Sequence, residues 1–205
     1  PLDMVDTCLC MGAGLNIAQG VEKVEPDTTC FAFVGDSTFF ASAITGVVNA
    51  VYNQANMVLV VLDNSTTAMT SHQPHPGTAR TVMGVIVQKI NIEQVLRGIG
   101  VTEIETINPL ELEASVSCVK RMAEKSGVRA IIFKAPCIAV TKPKAPLHVD
   151  QDSCIGCKKC IRDLGCPTIV MNDGKICIDA SMCTGCHLCS QVCPVCAIAG
   201  GDDHE

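Results

Sequence analysis

The chain has 205 residues, 48% of them apolar, a net charge of −6, no tryptophan, one tyrosine and five phenylalanines. That length holds one medium domain and a small one, or a single larger domain, and the negative charge speaks against a nucleic-acid or anionic-membrane partner. No apolar run is long enough to span a membrane, and the opening PLDMVDTC has neither the basic start nor the apolar stretch of a secretion signal.

In chain order, Cys8 and Cys10 precede a glycine-containing turn and either face a cofactor or act as small buried residues. Residues 12–24 are amphipathic, and 29–34 form a short apolar run ending in Gly35-Asp36. The stretch 39–54 reads as a helix with Thr38 as its N-cap. Residues 56–62 (NMVLVVL) form the clearest buried strand, followed by a polar stretch over 63–70 and a loop holding Pro74, Pro76 and Gly77. A helix over 92–99, a strand over 102–107, a helix over 109–126 and a strand over 128–134 complete the pattern. Strands alternating with helices imply an α/β fold with a parallel sheet and helices on both faces. Few aromatics among many aliphatic residues suit such a core.

In sheets of this kind, ligands bind beyond the carboxyl ends of the strands. Asp36 and Asp63-Asn64 sit at two such ends. A Mg2+ ion takes oxygen ligands from few protein groups plus phosphate, and Asp36, Asn64 and the Thr66 carbonyl would supply three. The helix start after Asp36 would offer amides to a diphosphate. On spacing alone a turn with a capping Asp fits equally well.

Residues 136–147 (PCIAVTKPKAPL) hold three prolines and two lysines and read as a linker. After it, 148–201 is a compact cysteine-rich unit with an internal duplication. Ten of the fifteen cysteines fall after position 150, which favours metal over a disulfide framework. The second half, CTGCHLCSQVCP from Cys183 to Pro194, matches the bacterial ferredoxin run C-x2-C-x2-C-x3-C-P. The first, CIGCKKCIRDLGCP from Cys154 to Pro167, widens the last gap to five residues. Three closely spaced thiolates cap one cube, and the fourth cysteine reaches the other. The expectation is one [4Fe–4S] cluster on Cys154, Cys157, Cys160 and Cys193, and a second on Cys183, Cys186, Cys189 and Cys166. Paired zinc sites are the weaker alternative, since neither the triple CxxCxxC nor the following CP belongs to a zinc ribbon. Cys30, Cys118, Cys137, Cys177 and Cys196 fall outside the pattern and are read as small buried residues. Lys158 and Lys159 either offset cluster charge or form a solvated face.

The stretches DTCLCMGAGLNIAQG, FVGDSTFFASAITGVVNAVYNQAN and VVLDNSTTAMTSHQPHPGT closely resemble the α subunits of the indolepyruvate:ferredoxin oxidoreductase family. These are thiamine-diphosphate-dependent 2-oxoacid:ferredoxin oxidoreductases. The resemblance extends over nearly the whole chain and implies a diphosphate-binding domain over 1–136, N-terminally incomplete, a linker over 137–147 and a 2[4Fe–4S] ferredoxin-like (α+β) domain over 148–201. It implies that Gly35, Asp36, Ser37, Asn64 and Thr66 form the thiamine diphosphate motif, with Mg2+ on Asp36, Asn64 and the Thr66 carbonyl. Ser37 stands where many thiamine enzymes have glycine. The implied activity is oxidative decarboxylation of aryl 2-oxo acids to acyl-CoA, with coenzyme A as second substrate, a smaller β subunit as partner and ferredoxin as electron acceptor. Cytoplasmic location in an anaerobe follows from exposed low-potential clusters. The residue that activates the thiamine aminopyrimidine is absent, so the chain alone is expected to be inactive. His72 and His75 would lie near the substrate side or simply bond to loop backbone, and neither is assigned a catalytic role. An electron-transfer module on a non-catalytic α/β docking domain is the alternative; a non-oxidative thiamine decarboxylase would need no electron acceptor.

Overall fold

The computed structural model describes residues 4–200. The chain divides into two compact units, Asp6–Val140 and a smaller one from Thr141 onward. The division falls inside the expected linker.

The first unit is built on four parallel strands, β1 (Cys30–Gly35), β2 (Met57–Asp63), β3 (Glu103–Ile107) and β4 (Val128–Lys134), in the spatial order β1-β2-β4-β3. Its helices are α1 (Ala13–Val24), α2 (Asp36–Thr38), α3 (Ile44–Tyr52), α4 (Ile92–Ile99) and α5 (Leu112–Glu124). Every side chain from Met57 to Val61 is buried, as a strand covered on both faces requires. They alternate between two cores. Met57, Leu59 and Val61 cluster with Leu15 and Ala18 of α1, Val47 and Ala50 of α3, and Leu96 of α4. Val58 and Val60 cluster with Cys118 and Met122 of α5. Burying these five β2 side chains contributes on the order of 10 kcal/mol before chain entropy is subtracted.

Sequence and structure agree most closely for α4 and β4. Asn91 caps α4 by accepting the Gln94 N–H, and Gly100 ends it in the left-handed region. They part at the helix after β1. Thr38 does not cap it: the residue has helical angles, and the cap position falls to Gly35 in extended backbone. A π-helical turn, Phe39–Ala43, then joins α2 to α3. The helix starts early, at Asp36, whose side chain accepts the Ser37 N–H within the first turn.

One buried cation ties the lower end of the sheet. Arg129, only 1% exposed, donates from Nε to the Met122 carbonyl at 3.0 Å and from Nη1 to the Gly127 carbonyl at 2.6 Å and to Asn56 Oδ1. Burial lowers its pKa, and these oxygens offset that cost.

The second unit pairs β5 (Leu147–Val149) with β8 (Ile198–Gly200) and β6 (Ile169–Asn172) with β7 (Lys175–Ile178), both antiparallel. Asp173-Gly174 joins β6 to β7 with both residues at positive φ, the pattern that matches strand twist in a two-residue hairpin. Two short helices, α6 (Lys159–Leu164) and α7 (Leu188–Val192), complete it. The duplication extends to the backbone: Gly156 and Gly185 have φ of 65° and 67°, and Lys158 and His187 have φ of 59° and 61°. Among the described residues no helix is long and apolar enough to cross a membrane.

Candidate functional site

β1 and β2 lie side by side with Gly35 opposite Leu62, so Asp36 and the 63–67 turn emerge together at the carboxyl edge of the sheet. Asp36 is 3% exposed. A carboxylate so buried must be satisfied by donors, and two backbone amides meet it. Ser37 N–H donates to Oδ1 and Ser65 N–H to Oδ2, each at 2.7 Å. Burial pushes its pKa up and Asp63 adds to this, against the opposing pull of the Ser37 amide, His75 and the Ser65 amide.

The turn is tied by its own side chains. Asp63 Oδ1 accepts the Ser65 N–H at 3.0 Å, Asn64 Oδ1 accepts the Thr66 N–H at 3.1 Å, and Thr67 Oγ1 bonds Ser37 Oγ at 3.0 Å. The Thr66 carbonyl accepts the Ala68 N–H at 3.0 Å. Gly35, Asp36, Ser37, Asn64 and Thr66 are thus brought to one corner, joined through Ser65 and Thr67. The two expected neutral ligand oxygens, Asn64 Oδ1 and Thr66 O, each accept one bond and keep a second lone pair. Ser37 N–H is committed to Asp36 and is not open to a diphosphate.

The two loop histidines separate. His72 is exposed, with Nε2 4.0 Å from Cys137 Sγ. His75 is buried, and its Nε2 lies 3.2 Å from Asp36 Oδ2. The expected backbone bond exists on one side of the ring only, where Gly77 N–H donates to Nδ1 at 3.1 Å. Nε2 has no aligned acceptor, an arrangement that costs about 1–3 kcal/mol when nothing completes it. Phe40 stacks on the ring with centroids 5.8 Å apart. A Cβ at Gly77 would lie 3.0 Å from both His75 Cε1 and Phe40 Cε2, so any side chain there would press on both rings. The His-Pro-Gly sequence at 75–77 was the visible signal for this packing; the Asp36 contact was not readable from it.

In the second unit Cys154, Cys157, Cys160 and Cys193 line one cavity, partly open to solvent, with apolar neighbours such as Val149, Ile176 and Ile198. Cys193 comes from the opposite half of the duplication. In the other quartet, burial pushes the Cys189 thiol up to about 11, with Cys186, Cys166 and Cys183 adding to the shift. Ala197 N–H donates to Cys193 Sγ at 3.3 Å, and Thr168 Oγ1 lies 3.2 Å from Cys166 Sγ. Among the described residues no three His, Cys, Asp or Glu side chains converge on a single metal ion. A cavity ringed by four thiols fits a cube with an iron at each thiolate, and one carboxylate with an amide and a carbonyl fits Mg2+ completed by phosphate.

The cysteines outside the quartets do not share one environment. Cys30 and Cys118 are buried as expected, and burial pushes Cys118 up to about 11. Cys137 and Cys177 are half-buried, while Cys8, Cys10 and Cys196 are exposed. The first two exposed residues lie in the loop before α1, and Cys196 sits in a turn at positive φ, so the reading of small buried residues fails for these three. Lys158 and Lys159 are exposed.

Comparison with known proteins gives the fold an ancestry. Residues 2–133 match the family "Thiamine pyrophosphate enzyme, C-terminal TPP binding domain". The indolepyruvate oxidoreductase subunit IorA of Archaeoglobus fulgidus is 37% identical over 95% of this chain, and that of Methanothermobacter thermautotrophicus 40% identical over 97%. The chain spans about a third of their length, 32% of each. The 2-oxoglutarate:ferredoxin oxidoreductase of Magnetococcus marinus has a similar fold, with a TM-score of 0.57 and 19% identity over 64% of this chain and 47% of that one. The parallel sheet with Asp36 at its carboxyl edge is therefore a thiamine-diphosphate-binding fold, and the chain belongs to the thiamine pyrophosphate enzyme family through its C-terminal TPP-binding domain.

Proposed function

We propose that the chain is the diphosphate-binding and electron-transfer part of a 2-oxoacid:ferredoxin oxidoreductase acting on aryl 2-oxo acids of the indolepyruvate kind. The observation that carries this is the buried Asp36 carboxylate, held by two amides at the sheet edge in a thiamine pyrophosphate domain. Asp36, Asn64 Oδ1 and the Thr66 carbonyl hold Mg2+, and Gly35 and Ser37 border the diphosphate. Thiamine diphosphate, when bound, supplies the carbanion chemistry of 2-oxo acid decarboxylation. This chain's part is to fix the anchoring end of the cofactor. Residues 1–136 form the diphosphate-binding domain, 137–147 a linker and 148–201 a ferredoxin-like domain.

In that second domain Cys154, Cys157, Cys160 and Cys193 hold one [4Fe–4S] cluster, and Cys183, Cys186, Cys189 and Cys166 the other. The cavity ringed by the first four thiols supports this reading. Clusters held by these cysteines would supply one-electron transfer toward an external ferredoxin. Coenzyme A takes the acyl group, a smaller β subunit completes the enzyme, and the setting is the cytoplasm of an anaerobe. The names of the similar subunits support the aryl substrate.

The test is anaerobic, on the enzyme assembled with the N-terminal portion that supplies the aminopyrimidine-activating residue and with its partner subunit. Indolepyruvate, thiamine diphosphate, Mg2+ and coenzyme A should bleach the cluster absorbance, and Asp36→Ala should abolish this while leaving dithionite reduction intact. Clusters that dithionite reduces but every 2-oxo acid leaves untouched would reduce the chain to an electron-transfer module.

A further inference from the structure

We propose that His75 is the positioning residue of the Asp36 carboxylate, its Nε2–H holding Oδ2 in the orientation that receives the cation. This rests on the reading of Asp36 as a Mg2+ ligand. The side chains are 5% and 4% exposed and their facing atoms are 3.2 Å apart. The proton's place on the ring follows from the other nitrogen. Gly77 N–H donates to Nδ1 at 3.1 Å, so Nδ1 is the acceptor and the neutral ring carries its hydrogen on Nε2.

That hydrogen has no aligned acceptor in the ligand-free chain, and Asp36 Oδ2 lies 3.2 Å from its nitrogen, within reach of a small turn of the carboxylate. Meanwhile the ring itself is fixed. Phe40 stacks on one face at 5.8 Å and 29°. His75 N–H bonds Thr78 Oγ1 at 3.2 Å, and the His75 carbonyl accepts from Thr78 Oγ1 at 2.8 Å and from Thr78 N–H at 2.9 Å. A rigid imidazole whose unbonded N–H lies beside a buried carboxylate is placed as outer residues that orient a metal ligand are. Packing alone explains neither the tautomer nor its direction, since any flat ring would stack on Phe40.

The test separates donor from filler. Calorimetric titration of Mg2+ in the presence of saturating thiamine diphosphate should show His75→Phe weakened by roughly 10- to 100-fold, with the ligand-free protein still folded by circular dichroism. His75→Gln, whose amide N–H stands near the place of Nε2, should recover most of the loss. Phenylalanine binding Mg2+ as tightly as histidine, or glutamine no better than phenylalanine, would overturn the proposal. Asp36→Ala runs alongside: retained Mg2+ affinity there would overturn the cation site itself, a result distinct from failure at His75 alone.

Discussion

The two units make their candidate sites in opposite ways. In the cysteine-rich unit each candidate ligand is a side chain in a short repeated segment, set by a glycine and a left-handed residue at matching places. In the sheet unit one carboxylate is surrounded by groups from β1, the 63–67 turn and the loop at 75–77, mostly backbone amides. A repeated segment states its chemistry locally. A convergent corner exists only once the strands have paired.

That contrast is open to breakage. The sharpest attack is on the crossed quartets. Cys160→Ala combined with Cys193→Ala should cost one cluster's worth of iron, whereas Cys160→Ala with Cys166→Ala should cost both. Iron content and the electron paramagnetic resonance of the reduced protein read the outcome. If the first pair costs both clusters and the second only one, each half closes its own cube and the ligation is local after all.

A smaller effect tests how far the sheet unit depends on distant partners. Arg129→Met keeps the stem and removes the donors to Met122, Gly127 and Asn56. The loss should be about 3 kcal/mol, read as a lower urea midpoint for the sheet unit with the iron content unchanged. A shift within error would show that the β4 entry holds by apolar packing.

The smallest effect is on pH. The pKa of Asp36 is raised in the folded ligand-free chain, burial being the main cause. The folded state therefore holds the proton more tightly than the unfolded one. Its stabilising contribution is complete below the ordinary aspartate value and is lost as pH rises through the raised one. Melting temperature of the ligand-free protein should fall over that interval, and Asp36→Asn should flatten the trend.

Legibility follows the same division. The strands 56–62 and 128–134 could be read because their aliphatic runs admit no solvent face, and the gathering of Cys154, Cys157, Cys160 and Cys193 on one cavity because spacing within a loop is itself geometry. Asp36 was visible as a strand-end acid. Its neighbours were less so. Ser65 reaches it through a backbone amide, which no side-chain pattern encodes, and His75 is brought to it across a long loop. Thr38 looked like a cap because threonine before an apolar stretch usually is one; the helix had already begun at Asp36, so Thr38 stands inside it with helical angles. The exposed Cys8, Cys10 and Cys196 show the limit of composition, since a thiol's ordinary preference for the interior does not decide single positions.

The π-helical turn at Phe39–Ala43 has a consequence for changes of chain length. A wide turn carries an extra residue while leaving the helices on either side in phase. Deleting one residue there would convert it to an ordinary turn, and Gly46, Val47 and Ala50 would keep facing the core. The same deletion inside α3 would rotate everything beyond it by about 100° and swing the buried face toward water. The helix behind Asp36 thus has a built-in splice point, one turn from the carboxylate, where length can vary without disturbing the site.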